Sequence, residues 1–346
     1  MTPTRTPDIT LEHPGDLVAA IPPLLGFHPV DSIVVFGLRG PRATELTLVL
    51  RSELPPVTRA RELAQCLLLP LVQHGAVGVA LVVVGGQGRS PDENLPHRAL
   101  LAACETAFVD HGLPVVHQLW TPDTDGGRRW HCYDETDCGG VVPDPDRTEL
   151  ATIATETGLT IYGRREDIAA TLAPEPPDVL ARRSTSLDEA STATEPGTST
   201  EPSRAVLGAV RAAIESAVNA PPRLTDQDVV SLSRALADHR IRDVCLDFEA
   251  LPDVAAAERL WAALARATPP PERAEPACLL AFSAYARGDG VLAGIALDSA
   301  EQADPGHRLS GLLRGALSIG LPPDKLKVAG IRAANFARQA LAEEET

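Results

Sequence analysis

Val77 to Gly86, VGVALVVVGG, is a short, near-continuous apolar run rich in Val and closed by two glycines. A run so short and so β-branched reads as a strand buried on both faces; an amphipathic helix would place polar residues at every third or fourth position. Upstream of it a helix is expected from about Thr58 to His74. Thr58 is its candidate N-cap, Leu63, Cys66, Leu67 and Leu71 mark its apolar side, and Pro70 is expected to kink or end it. Further upstream, Ser32 to Leu38 (SIVVFGL) is a second buried strand and Thr44 to Arg51 (TELTLVLR) alternates. The turn signal Gly40-Pro41 between them predicts an antiparallel hairpin. A short helix from Leu17 to Ile21 precedes them, ended by Pro22-Pro23. Downstream come a helix from Leu95 to His111, a strand from Leu113 to Trp120, and helices over Pro145–Thr157 and Arg165–Leu172. Strands interleaved with helices predict an α/β domain over residues 8–173, a mixed sheet covered by helices.

The pattern changes after residue 173. Ala173 to Arg204 is rich in Pro, Ser, Thr and Glu and has no aromatic residue, so residues 174–203 are expected to be a disordered linker. From residue 204 to 342 the chain reads as wholly helical, with helices near 204–219, 226–238, 254–267, 276–287, 291–303, 308–319 and 324–342. Tyr285, Gly288-Asp289, Ala293, Leu297, Ala300 and Asp304-Pro305 keep the spacing of a tetratricopeptide helical hairpin, in which small residues let two helices touch. Asp253, Ala257, Trp261 and Pro269 form a fainter echo 36 residues earlier. The expected C-terminal domain is therefore all-α and tetratricopeptide-like, with a generic helical bundle as the alternative.

Composition narrows the function classes. Among 346 residues, Lys+Arg 31 against Asp+Glu 47 gives a net charge of −16, which argues against a general nucleic-acid binder. No stretch approaches the ~20 apolar residues of a membrane span. The opening MTPTRTPDITLEHPGD lacks an apolar signal core. Of the six cysteines, four sit singly in apolar surroundings, as small buried hydrophobes do. Together these features predict a cytoplasmic protein with reduced thiols. The lysines are only Lys325 and Lys327, and the abundance of Arg, Ala and Pro reads as the codon bias of a GC-rich genome.

Three segments carry candidate chemistry. Gly26-Phe27-His28-Pro29-Val30-Asp31-Ser32 sets an imidazole, a carboxylate and a hydroxyl within five residues, just ahead of a buried strand. It reads first as a structural turn, with Gly26 at positive φ and Asp31 or Ser32 bonding the backbone, and second as a ligand loop around Gly26, His28, Asp31 and Ser32. Gly85-Gly86-Gln87-Gly88-Arg89-Ser90 follows the strongest strand, where open α/β sheets place ligand loops. There Gly86, Gly88 and Arg89, with Arg98, are candidates to approach a phosphate, although the spacing matches no phosphate-loop motif. The stretch from Thr121 to Val142 carries Trp130, His131, Cys132, Tyr133 and Cys138 among five acids, and is expected to be a lid-like or packing loop. The alternatives are a redox-switchable thiol pair or a zinc site using Cys132, Cys138, His131 and His117. Adjacent His131 and Cys132 rarely bind one ion and there is no second cysteine pair, so no metal or other cofactor is assigned.

Three blocks together resemble a known family. They are Pro23-Leu24-Leu25-Gly26-Phe27-His28-Pro29-Val30-Asp31-Ser32, then Arg129-Trp130-His131-Cys132-Tyr133 with Cys138, and Leu279-Leu280-Ala281-Phe282-Ser283-Ala284-Tyr285-Ala286-Arg287-Gly288-Asp289-Gly290. They are similar to blocks of the uncharacterised actinobacterial family catalogued as domain of unknown function 4192. That family often carries two adjacent cysteines where this chain has Cys138 followed by Gly139. The resemblance implies an actinobacterial origin and supplies no activity.

The expected function is thus an interaction or adaptor protein whose helical domain binds a protein partner. No catalytic residue is assigned. The alternative is a small-molecule sensor or enzyme with a site at one sheet edge, made by His28, Asp31, Arg89 and the 121–142 loop.

Overall fold

The computed structural model describes residues 13–40, 43, 45–86, 95–135, 137–156, 160–192 and 203–344. The chain divides into two compact units, residues 1–167 and 168–346.

The first unit is a mixed sheet covered by helices. In chain order it contains α1 (Pro14–Ala19), α2 (Ile21–Leu25), β1 (Ser32–Arg39), β2 (Glu45–Glu53), α3 (Ala60–Gln73), β3 (Gly78–Val84), α4 (Arg98–Val109), β4 (Val115–Thr121), β5 (Arg129–Cys132), β6 (Gly139–Val141) and α5 (Glu149–Glu156); α6 (Arg165–Thr171) crosses the boundary. The six strands run in the order β2-β1-β3-β4-β5-β6. Only β3 and β4 are parallel; every other neighbour pair is antiparallel. The expected hairpin is β1 with β2, paired from Ser32 opposite Glu53 to Arg39 opposite Glu45 with a register shift between Gly37 and Leu38.

Period-two alternation sorts the apolar side chains of the central strands. Ile33, Val35, Val79, Leu81 and Val83 face one layer, where Ala64, Leu67 and Leu71 of α3 and Leu101, Cys104 and Phe108 of α4 complete the core. Val34, Phe36, Ala80, Val82 and Val84 point the other way and are equally buried, with α1 against β4 and α2 against α5. Burial on both faces is why β1 and β3 have no polar alternation.

Three local expectations are corrected. Pro22-Pro23 opens α2 instead of ending a helix, because a proline in the first turn lacks only an N–H that has no helical partner anyway. Thr58 lies in a 3-10 turn (Val57–Arg59) and does not cap α3, and Pro70 sits inside α3, which runs on to Gln73. The 121–142 stretch is no simple loop, for it contains β5 and β6. Two glycines at positions 139 and 140 hid β6 from a hydrophobicity reading; a Cβ at Gly140 would meet the Trp130 indole (2.9 Å) and one at Gly139 the Trp130 carbonyl (3.0 Å).

The second unit is helical: α7 (Pro177–Thr192), α8 (Ser203–Ser216), α9 (Asp226–Ala237), α10 (His239–Val244), α11 (Val254–Ala267), α12 (Ala274–Ala286), α13 (Gly290–Ala303), α14 (Arg308–Ser318) and α15 (Pro323–Glu344). Among the described residues of this unit five helix starts carry side-chain caps, four of the expected chemistry; at α10 Asp238 accepts from Arg240 N–H. Thr225 and Asp228 form a capping box at α9, while Asp253, Asp289 and His307 cap α11, α13 and α14. Helix α12 is buried almost all round and packs against α11 and α13. Its Tyr285 donates its hydroxyl to the carbonyls of Ala316 (3.0 Å) and Leu321 (2.8 Å). Ala293, Leu297 and Ala300 of α13 are fully buried.

The 174–203 segment departs most from its expectation. It holds the sixteen-residue helix α7; residues 193–202 lie outside the described residues. Polar composition concealed what fixes this helix, a single buried arginine. Arg183, only 4% exposed, donates from Nε to Asp226 (2.8 Å) and from Nη1 to Glu175 (2.9 Å) and to the carbonyl of Ala267 (2.7 Å). Leu187, one turn on, is buried as well.

Candidate functional site

At the carboxyl ends of the parallel pair β3 and β4, three connections meet. They are residues 26–31 before β1, the described residues 85–86 and 95–97 of the stretch between β3 and α4, and residues 122–128 between β4 and β5. Because β1 runs antiparallel to β3, with Ser32 opposite Val84, its entry lies at the same edge.

The first connection is shaped by its own residues. Gly26 ends α2 in the left-handed conformation (φ 77), and its N–H donates to the Pro22 carbonyl at 2.8 Å. The Gly26 carbonyl then accepts from Tyr162 N–H (2.8 Å), and His28 N–H donates to the Tyr162 carbonyl (3.2 Å), which anchors the segment through buried Phe27. The Ser32 hydroxyl donates to the Val30 carbonyl (2.6 Å) and accepts from Arg51 Nε (2.9 Å). Ser32 is fully buried and so committed to the turn. His28, Asp31 and Ser32 do not form one nucleophilic relay.

His28 faces the third connection. Its Nδ1 shares a hydrogen bond with Oγ1 of buried Thr124 (2.9 Å) and lies 3.5 Å from Asp125 Oδ1, an ion pair when the imidazole is protonated. The His28 side chain keeps 29% of its surface exposed, and no hydrogen bond to its Nε2 forms among the described residues. Asp31 faces the second connection. It sits at positive φ (42), and its Oδ1 accepts from Gly86 N–H at 2.7 Å. Gly85 and Gly86 are left-handed as well (φ 74 and 82). A Cβ at Gly85 would lie 2.8 Å from Asp31 Oδ1, and one at Gly86 would lie 2.6 Å from His97 Nε2. These glycines therefore let Asp31 and His97 approach the backbone. The Trp120 indole N–H closes the floor by donating to the Gly85 carbonyl (2.9 Å).

Electrostatically the site is two imidazoles beside two carboxylates, Asp31 and Asp125. Burial lowers the His97 pKa, with the Asp31 charge pulling partly the other way, so His97 is neutral near neutral pH. Among the described residues no phosphate cradle forms. The Gly86 N–H is already given to Asp31, and Arg98 is turned away, donating to the Tyr133 carbonyl (3.3 Å) and lying 5.5 Å from the Tyr133 ring centroid. Gly88 and Arg89 lie outside the described residues. The structure brings Gly26, His28, Asp31 and Gly86 to one edge with Thr124 and Asp125 of the 121–142 stretch and with His97, which the sequence reading did not single out. Thr124 and Asp125 carried no motif. His97 is legible only as a non-glycine residue at φ 59.

Trp130, Cys132 and Cys138 stand apart from this edge. The Trp130 indole lies against Gly15 and Gly140, where an added Cβ would come within 2.8 and 2.9 Å of its Nε1. The thiols of Cys132 and Cys138 are free and half-buried. Among the described residues no cluster of three or more His, Cys, Asp or Glu side chains is placed to hold a metal ion.

A second polar line runs through the helical unit. Glu275 Oε1 lies 3.1 Å from His307 Nε2, and His307 Nδ1 lies 3.3 Å from Cys278 Sγ. The Ser310 backbone N–H also donates to Nδ1 (3.3 Å), so Nε2 carries the proton given to Glu275. Cys278 is fully buried and its thiol is pushed up by burial, which makes this line a helix cap with a satisfied core and not a nucleophile.

Comparison with known proteins places the chain in one family. Residues 14–324 match the model described as Domain of unknown function (DUF4192), and the chain belongs to that family. No curated protein and no solved structure matches it. Among the described residues no helix is long and apolar enough to cross a membrane.

Proposed function

We propose that the α/β unit binds a small polar metabolite at the carboxyl ends of β3 and β4. The observation that carries this reading is His28, fixed through Nδ1 by Thr124 and Asp125 while Nε2 is left unbonded among the described residues. Open α/β sheets bind ligands at the carboxyl ends of parallel strands, where connections separate. Two carboxylates and a neutral His97 suit a ligand that donates hydrogen bonds, uncharged or cationic, better than a phosphate. With Ser32 committed to its turn, the role is binding and not acyl transfer. The test is a thermal shift of dialysed full-length chain against the small-molecule fraction of its host's extract. The expected result is a rise in Tm that His28→Asn abolishes. Asparagine retains a short hydrogen-bonding group for Thr124 and lacks the outer nitrogen. An equal rise in the variant would remove His28 from the site.

A second reading concerns the helical unit as a surface for a protein partner. Its support is the exposure of Leu312 on α14 and Phe336 on α15, both 73%. The likeness of α12 and α13 to a tetratricopeptide hairpin belongs to this reading. We place the chain in an actinobacterial cytoplasm, which suits its six free thiols and its arginine-rich composition.

A further inference from the structure

The β5–β6 ladder pairs Arg129 with Val141, Trp130 with Gly140 and His131 with Gly139. The same register sets Cys132 opposite Cys138, and the Cys132 N–H donates to the Cys138 carbonyl at 3.0 Å. Directly opposed residues send their side chains to the same face of a sheet. The Cys138 N–H donates to the Glu135 carbonyl (3.3 Å), so one ladder bond joins the pair; opposed antiparallel residues stand about 4.5–5.5 Å apart at Cα, inside the roughly 4.4–6.8 Å that a disulfide spans. The two sulfurs share the Trp130 face of β5, by period-two alternation. Neither is sealed in the core, unlike Cys104, Cys245 and Cys278.

We propose that Cys132 and Cys138 form a reversible dithiol–disulfide pair that staples β5 to β6. It requires no rearrangement of the backbone, since the ladder already holds the partners at bonding range.

Burial, the adjacent Cys132 thiol and the acids Glu135 and Asp134 all raise the Cys138 pKa. Either thiol can open the exchange and the other resolve it, and the balance is the same with the two exchanged. With a low-molecular-weight disulfide as oxidant, the Cys132 thiolate attacks one sulfur, the S–S bond breaks and one thiolate leaves. Cys138 then gives up its proton and attacks the Cys132 sulfur, releasing the second small thiol. Two thiols of the chain are oxidised to one disulfide, and the small disulfide is reduced to two thiols. Two electrons and two protons pass to the oxidant. This proposal does not rest on the ligand reading, because its readout is covalent.

The test equilibrates native full-length chain in graded mixtures of reduced and oxidised glutathione, followed by acid quench, N-ethylmaleimide blocking and peptide mass mapping. The expected result is a Cys132–Cys138 linkage two hydrogens lighter than the dithiol, formed in one two-electron transition and reversed by dithiothreitol. Cys104, Cys245 and Cys278 stay reduced, and exposed Cys66 takes up glutathione singly. Cys138→Ser, nearly isosteric at a half-exposed site, stalls Cys132 as its glutathione adduct. Separate glutathione or maleimide adducts on Cys132 and Cys138 of the wild-type chain at every ratio would overturn the proposal. So would a linkage of either thiol to Cys66 alone.

Discussion

Asp31 and Gly86 join two turns at one edge of the sheet through a single hydrogen bond. The Asp31 Oδ1 accepts the Gly86 N–H at 2.7 Å while both residues sit at positive φ, 42 and 82. Aspartate tolerates this region better than most residues and glycine adopts it freely, so the bond joins two turns whose sequences already favour them. Fifty-five residues separate them. The bond therefore ties the entry of β1 to the exit of β3.

Breaking that tie has a defined cost. Asp31→Ala removes the acceptor and leaves a strained φ, for a loss of about 1–3 kcal/mol. Asp31→Asn keeps an acceptor and loses less. Urea unfolding of the two variants beside wild type checks the order.

Gly86→Ala adds a Cβ 2.6 Å from His97 Nε2 at a backbone angle that alanine resists. The expected loss is about 1–2 kcal/mol for the left-handed conformation alone, with the clash added. Placing the same change in a His97→Ala background should recover the clash component and leave the backbone component. A double-mutant cycle by denaturant melts separates the two.

The pH response of the α/β unit follows from His97 and His117. Burial lowers both pKa values, opposed by Asp31 at His97 and by Asp134 at His117. A histidine depressed in the folded state binds fewer protons there than in the unfolded chain. Its neutral form is stable above the unfolded value of about 6.5, and stability falls as pH drops below that value toward the folded pKa. Asp31→Asn removes the opposing charge, so the His97 titration should move further down. Imidazole resonances followed by NMR against pH test both signs.

Much of the sheet was legible because its central strands are buried on both faces, and uninterrupted Val and Ile announce that directly. What hid were elements stabilised by single contacts. Strand β6 is mostly glycine because Trp130 fills the space beside Gly140, and no hydrophobic pattern encodes a space left for a neighbour. Helix α7 looked structureless because one buried arginine, Arg183, replaces an apolar stripe. The site was half legible for a similar reason. His28 and Asp31 stand together in the chain, but their partners Thr124, Asp125 and Gly86 reach them only through the fold.

Arg183 supplies a direct check on that reading of α7. Arg183→Ala should cost about 1–3 kcal/mol, because it leaves the Ala267 carbonyl without its donor and Glu175 without its partner, while Asp226 keeps Arg182. Arg183→Met retains the aliphatic stem and should cost less. Hydrogen exchange over residues 177–192 should rise in the alanine variant before the rest of the helical unit responds.

Native mass spectrometry of full-length chain, purified without denaturation from its own host, decides whether a ligand sits at the ends of β3 and β4. The expected result is a non-covalent small molecule on the wild-type chain that is lost in His28→Asn while circular dichroism and the melting curve of that variant stay close to wild type. A wild-type chain that carries no such molecule, or a molecule retained undiminished by His28→Asn, would contradict it.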